Sequence, residues 1–223
     1  MAASEELFDL CDEWGRPLGL TKSRALVHRD GDWHRSFHCW VLAEGPVRGE
    51  AHIVLQRRAL DKDTWPGRWD VSVAGHYAAG EGLEGGLREL REEMGLDVRV
   101  EQLRLVARRR EEVRHQNGLI DREVQDVYFL KRPVDVQALR PNSEVIAVAA
   151  IPASALTQLA GGTLPRATGI GGVIDEHGLI EGEQVEVAAV DLVPRADGYY
   201  GRVASFAGHP SNDKPLLGDP VWW

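Results

Sequence analysis

The sequence predicts an α/β layered domain, and three observations predict it. Segments rich in strand formers recur along the first two thirds of the chain, a single amphipathic helix interrupts them, and Gly, Pro and Asp clusters punctuate the joins. The 223 residues, 43% of them hydrophobic, suit one globular domain carrying an extension.

In chain order, residues 7–11, 36–43 and 51–57 read as strands, and a further strand covers Trp69 to Ala74. Between the last two, residues 60–68 form a loop, because Pro66-Gly67 marks a turn. From Leu83 to Met94 the apolar positions Leu83, Leu87, Leu90 and Met94 keep helical spacing, and Gly95 follows as a C-terminal cap. Strands follow at residues 103–108, 123–131 and 145–151, then a short helix over Ser154 to Leu159 that stops at Gly161-Gly162. Beyond residue 162 the texture turns Gly-rich and weakly periodic, with strand material at residues 178–182 and 185–192. Past Pro194, Tyr200, Val203, Ala204 and Ala207 share one helix face. The chain therefore divides into a domain over 1–162 and an extension over 163–223 that packs on it, with His209 to Trp223 extended and either docked or disordered.

The formal net charge of −9 excludes a nucleic-acid polymer or a membrane surface as the expected partner, since phosphate backbones are held mainly by Lys and Arg. Small phosphorylated ligands stay open, because the metals that accompany them supply positive charge locally. The run Arg108 to Arg110 is followed at once by Glu111-Glu112 and reads as a solvated strand end. No stretch approaches the roughly 18 apolar residues of a membrane span, and the acidic start is unlike a targeting peptide, so the expectation is a cytoplasmic protein. Cys11 and Cys39 read as buried free thiols.

The chemistry concentrates between Gly75 and Leu96. On a helix, Glu89, Glu92 and Glu93 stand at i, i+3 and i+4 and project from one face within a turn. Like charges at that spacing repel by a few tenths of a kcal/mol per pair, whereas hard cations with oxygen ligands would neutralise them. Taken alone, the pattern fits either a solvated acidic face or a site for Mg²⁺ or Mn²⁺.

The surroundings favour the metal. Gly75, Glu81 and the run Arg88 to Leu96 resemble the Nudix box, G-x5-E-x7-REUxEExGU with U a bulky aliphatic residue. One departure stands out: six residues, not seven, separate Glu81 from Arg88, and Gly85-Gly86 at that junction reads as the flexibility that absorbs the loss. The resemblance implies the Nudix fold, an α/β/α sandwich with a mixed β-sheet, and a hydrolase that cleaves a diphosphate linkage in a small molecule. By the same resemblance Glu89, Glu92 and Glu93 hold Mg²⁺ or Mn²⁺ and the Gly75 carbonyl joins them. Glu92 or Glu93 serves as base, Arg88 aligns the glutamates by ion pairing, and Glu123 or Asp126 supplies a further acid.

Outside the box, residues 5–160 are similar to the isopentenyl-diphosphate-isomerase-like branch of that family. The matching pieces are Asp9 to Gly15 with Pro17, His28 to Trp40, Gln56 to Arg58, Trp65 to Asp70 and Gly75-His76. They place Arg58, Trp65 and His76 beside the substrate. Isomerases carry a cysteine just before the Gly-His pair, and Ala74 stands there in this chain. A methyl group delivers no proton, which argues against isomerisation. His28, His34 and His76 resemble the histidines that hold a second metal in isomerases together with acids placed like Asp121 and Glu123. A third reading is a catalytically silent diphosphate-binding module. Of Trp33, Trp40, Trp65 and Trp69, which could stack on a base or pack the core, Trp65 is the one expected at the substrate. The region after residue 162, with Tyr199-Tyr200 and Trp222-Trp223 seeking apolar cover, has three roles open to it: completing the pocket, covering a sheet edge or forming a homodimer contact.

Overall fold

The computed structural model describes residues 6–45, 49–178, 180–195, 197–208 and 221–223. Its elements run β1 (Leu7–Cys11), β2 (Pro17–Ser23), α1 (Arg24–Asp30), β3 (Trp33–Trp40), β4 (Leu42–Ala43), β5 (His52–Arg58), β6 (Trp69–Asp70), β7 (Val73–His76) and α2 (Leu83–Met94). There follow β8 (Leu103–Arg114), β9 (Ile120–Leu130), β10 (Val145–Pro152), α3 (Ala153–Ala160), β11 (Arg166–Ile174), β12 (Ile180–Glu181), β13 (Gln184–Ala188), α4 (Tyr199–Ala207) and β14 (Val221–Trp222). Among the described residues no helix is long and apolar enough to cross a membrane.

The strands make two seven-stranded sheets. The first runs β14-β8-β9-β3-β1-β2 with β7 beside β3, and it is mixed, because β3 lies parallel to β9 and β14 parallel to β8. The second runs β12-β11-β10-β5-β4 with β13 on β11 and β6 on β5, antiparallel throughout. Their seam is hydrogen-bonded: Val54 donates its backbone N–H to the Val41 carbonyl at 2.9 Å, and the Ser72 hydroxyl accepts from Val41 N–H at 2.9 Å. Neighbouring residues on a strand face opposite ways, so each sheet feeds two cores. Phe37, Cys39, Val54, Val148 and Ala150 pack with Leu90 and Met94 of α2, while Trp40, Ile53, Leu55, Ala149 and Ile151 pack with Leu156 of α3 and Tyr199, Tyr200 and Val203 of α4. The result is a helix–sheet–helix layering, as the resemblance implied.

The helix expected over 83–94 forms with those bounds, and Gly95 caps it in the left-handed region at φ 69°, donating to the Arg91 carbonyl. Both cysteines are buried and free. Three features differ from the sequence reading. β2 and α1 were not expected: β2 is a sheet-edge strand interrupted by Gly19 with both Leu18 and Leu20 exposed, and α1 is a single short helix. The strand begun at Leu103 continues to Arg114, so Arg108 to Arg110 are not a solvated strand end. Arg109 is only 2% exposed and donates to Gln125, Glu111 and Asp197. The Gly-rich stretch around residues 169–172 is a strand paired on both sides, with β10 and with β12 and β13.

Residues after 162 share the main core, since Tyr199, Tyr200, Val203, Ala204 and Ala207 are buried within it and Val193 donates its N–H to the Trp69 carbonyl at 2.9 Å. The chain end covers a sheet edge: Val221 and Trp222 pair with Ala107 and Arg108, and Trp223 N–H donates to the Arg108 carbonyl at 2.8 Å. The remainder of the tail expectation, residues 209–220, lies outside the described residues, as does Leu179.

Candidate active site

A cavity of about 250 Å³ opens where α2, β3, β7, the β8–β9 pair and the loop after β5 converge. Helical spacing sends Glu89, Glu92 and Glu93 into its wall together with Arg88, and β7 supplies Ala74, Gly75 and His76. Strand periodicity does the rest. His38 and Ser36 enter from one face of β3, Glu111 and Val113 from one face of β8 with His115 just past its end, and Asp121 and Glu123 from one face of β9.

The glutamates are not equivalent. Glu93 is buried at 4% exposure, and its Oε2 accepts from Gln56 Nε2 at 3.1 Å and from the Ala74 backbone N–H at 3.2 Å. Burial, reinforced by the neighbouring Glu89 charge, pushes its carboxyl up to about 8. Burial also raises Glu89, against the pull of Arg88. Glu92 keeps half its side chain in solvent. Arg88 holds the set together, with Nη1 at 3.0 Å from Glu89 and 3.1 Å from Glu92, and Nη2 at 3.4 Å from Glu81. Glu81 itself accepts from Ala78 N–H at 3.0 Å and is absent from the cavity lining, so it positions Arg88 from behind.

Glycine makes the fit possible. A Cβ on Gly75 would stand 2.4 Å from Glu89 Cδ, so only glycine lets this carboxylate lie across β7. The Gly85-Gly86 pair corrects the sequence reading: both are helical and buried, and added Cβ atoms would meet Glu81 Oε2 at 2.5 Å and Phe37 Cδ2 at 2.4 Å. They serve close packing of the helix start, not flexibility.

Next to this cluster stands a second one. His28, His34, His76 and Asp121 bring one ligand atom each to within 4.8 Å of one another. The Nε2 atoms of His28 and His34 and Asp121 Oδ1 are buried without a hydrogen-bond partner, and His76 Nε2 stands 3.0 Å from Glu123 Oε1. Phe8 stacks against His34 and His76, with ring centroids 5.2 and 4.7 Å apart. Burial, then the charge of His76, lowers His28 to about 4 and His34 to about 3, which keeps both imidazoles neutral. Burial and Glu123 raise Asp121 to about 7. Burial would also raise Glu123, but His76, 3.0 Å away, and the other imidazoles outweigh it and hold Glu123 well below the carboxylate range. Glu123 also accepts from Ser36 at 3.0 Å and Gln125 at 2.6 Å.

Asp126 does not join. It lies on the opposite face of β9 from Glu123, 1% exposed, and accepts from Arg35 and Arg108 and, at 3.4 Å, from Tyr77. Arg58 and Trp65 both line the cavity. Arg58 is braced by the Thr64 carbonyl at 3.1 Å, and Trp65, at φ 50°, meets His115 edge-on at 5.4 Å. Trp40 and Trp69 are core residues, and Trp33 lines a separate surface cavity. Sequence reasoning missed Arg24, Lys62, His38, Glu111, His115 and Arg195. The alternation Glu111, Val113, His115 carried a signal for three positions facing one way; Arg195 carried none.

The family model of the NUDIX domain matches residues 32–170. The chain belongs to the Nudix family. An uncharacterized Nudix hydrolase of Clostridium acetobutylicum is 33% identical over 88% of this chain and 94% of its own length. An isopentenyl-diphosphate Delta-isomerase of Saccharopolyspora erythraea is 35% identical over 53% of this chain, which spans 59% of that enzyme, so the isomerase-like branch is this chain's neighbourhood within the Nudix family. Among solved structures, the Deinococcus radiodurans protein DR0079 is similar, with a TM-score of 0.48 and 23% identity over 70% of this chain and 90% of that one.

Proposed function

We propose that this Nudix protein is a metal-dependent hydrolase that cleaves a diphosphate linkage in a small organic diphosphate. The observation that carries the reading is Glu93, a buried carboxyl raised to about 8 and held by Gln56 and Ala74 at the wall of a cavity that also receives Glu89, Glu92 and the cations Arg24, Arg58, Lys62, Arg88 and Arg195. Three carboxylates beside that many cations suit a ligand that brings both phosphate and metal.

Glu89, Glu92 and Glu93, with the Gly75 carbonyl, are the groups to hold Mg²⁺ or Mn²⁺, which when bound neutralises diphosphate oxygens and acidifies a water. Glu93, fixed by two donors on one oxygen, has the other free to take the proton of the attacking water, with Glu92 as the less constrained alternative. Arg88 keeps Glu81, Glu89 and Glu92 in register. Arg58 and Lys62, in the lining of the same cavity, are the cations to meet phosphate oxygens, and His76 pairs with Glu123 at 3.0 Å. The unpartnered buried atoms of His28, His34 and Asp121, with His76 and Glu123 beside them, fit a second cation, and imidazole donors favour a transition ion such as Zn²⁺.

Isomerisation is the weaker reading, because Ala74 offers no proton at the position where isomerases have a thiol. The deciding experiment incubates the protein with Mg²⁺ or Mn²⁺ and a panel of nucleoside di- and triphosphates, nucleotide sugars, dinucleotides and isopentenyl diphosphate, beside Glu93→Gln. Metal-dependent hydrolysis lost in the variant supports the proposal. Isomerised product would replace it, and absence of turnover throughout would favour a binding module.

A further inference from the structure

His38 lines the cavity from β3 at only 3% exposure, and none of the steps assigned to hydrolysis uses it. Its Nδ1 stands 3.0 Å from the hydroxyl of Tyr199, the first residue of α4. The same hydroxyl stands 2.9 Å from Nε1 of Trp40. An indole N–H can only donate, so the Tyr199 oxygen accepts from Trp40, and its own proton goes to Nδ1 of His38. In the opposite tautomer His38 would also donate into Tyr199, and a buried hydroxyl proton would be left without an acceptor. Arg109 and Arg195 reinforce the direction. Their guanidiniums lie 4.6 and 5.8 Å from the centroid of the Tyr199 ring, and positive charge over a phenol makes its hydroxyl a stronger donor. The His38 proton therefore sits on Nε2. Burial, then the charge of Arg195, lowers His38 to about 4, so the ring is neutral.

The sheet sets this ring beside the metal helix. His38 pairs with Ala74 across β3 and β7, which puts the two side chains on one face with Cβ atoms about 5 Å apart. Ala74 in turn donates its backbone N–H to Glu93. The methyl group of Ala74 fills little space, and the imidazole takes its place in the cavity lining next to it. A neutral N–H at that point suits an anion that arrives with its metal. A cationic side chain there would be captured by Asp70 and Glu123, whose charges reach the ring, and would repel the metal ion. A neutral donor escapes both effects and still hydrogen-bonds to a phosphate oxygen.

We infer that His38 is a ligand-contacting residue whose Nε2–H donates to an oxygen of the bound diphosphate, and that Tyr199, brought in by α4, is the positioning residue that keeps the proton on that nitrogen. This rests on the diphosphate reading of the cavity. It gives the C-terminal extension a part in the site through one hydroxyl group.

The test begins with the ring nitrogens of His38, read by long-range proton–nitrogen NMR in protein labelled at histidine, with His38→Gln identifying the signals by their loss. The expected state near neutral pH is a ring protonated on Nε2 alone, and Tyr199→Phe should turn that single tautomer into a mixture. Methylenediphosphonate, titrated in Mg²⁺, should then move the Nε2–H signal. By calorimetry His38→Leu should weaken the same probe about tenfold or more, whereas His38→Gln, whose amide nitrogen can donate from nearly the same place, should bind within about threefold of wild type. Where His38→Leu fails to fold, the tautomer and its response to the probe in wild type decide. A proton on Nδ1, an Nε2–H signal that the probe leaves unmoved, or equal affinities of the Leu and Gln variants would overturn the inference and leave His38 a packing residue. A probe-dependent shift in a protein that turns over no diphosphate would sink the hydrolase reading and support this one. Turnover with an unmoved signal would do the reverse, and a wild type that does not bind the probe would overturn the contact itself.

Discussion

The backbone N–H of Ala74 donates to the Glu93 carboxylate at 3.2 Å, joining β7 to the most buried acid of α2. Glu93→Gln is expected to preserve the contacts with Gln56 and Ala74, because an amide oxygen also accepts, while lowering kcat by about 10²- to 10⁴-fold through loss of the base and a metal ligand. Phosphate release under saturating substrate measures this, and a loss below tenfold would move the base to Glu92.

The pH dependence of metal-free stability follows from the same residue. Glu93 stays protonated in the folded state up to about 8 but ionises near 4.5 when unfolded. The folded state therefore binds more protons across that window, and stability falls as pH rises through it, by at most about 1.4 kcal/mol per pH unit, and levels off above about 8. Asp121, raised to about 7, adds to the slope. Melting of chelator-treated protein from pH 5 to 9 should show the decline, flattened in Glu93→Gln.

Metal binding should release protons for the same reason. At pH 7 the Glu93 proton must leave for Mg²⁺ or Mn²⁺ to bind, so the apparent binding enthalpy should vary with the ionisation enthalpy of the buffer. At pH 9 that dependence should vanish for Mg²⁺. Equal buffer dependence at both values would contradict the protonated state of Glu93.

Gly75→Ala is expected to weaken metal binding at least tenfold and to cost about 1–3 kcal/mol, since the new Cβ would stand 2.4 Å from Glu89 Cδ and displace that carboxylate. Metal titration and thermal melting of the variant measure the two effects separately.

Replacing His28 and His76 together by Ala should remove one equivalent of tightly held transition metal while leaving Mg²⁺ binding at the α2 glutamates in place. Elemental analysis before and after mutation decides it, and an unchanged metal content would return the four residues to a packing role.

Trp65→Ala should raise KM for the best substrate at least fivefold with little change in melting temperature, because Trp65 is only half-buried and touches His115 across the cavity and not the core. Truncation after Gly162, in contrast, should abolish folding. It removes Tyr199, Tyr200 and Val203 from the core, each a loss on the scale of about 2–5 kcal/mol for a large buried side chain.

Local pattern was enough for α2, its cap at Gly95 and the shared face of Glu89, Glu92 and Glu93, because these depend on spacings within one helix, where local geometry fixes which side chains share a face. The sequence also brought forward His28, His34 and His76 through resemblance. His34 and His76 meet because β3, β7 and β9 lie side by side in that register, with His34 opposite Glu123 and Ser36 opposite both His76 and Gln125, and His28 joins them from α1. The choice between Glu123 and Asp126 belonged to the sheet as well: three residues apart on one strand, they must face opposite ways, and only the tertiary fold says which face is the cavity. The charge run at Arg108 to Arg110 looked solvated because its neutralising partners Asp126 and Asp197 are distant in sequence or hidden by strand pairing. Arg195 is the extreme case. Nothing near it in the chain marks it, and its place beside Asp70 and Glu111 arises from long-range packing of α4, the one level of organisation that no local pattern encodes.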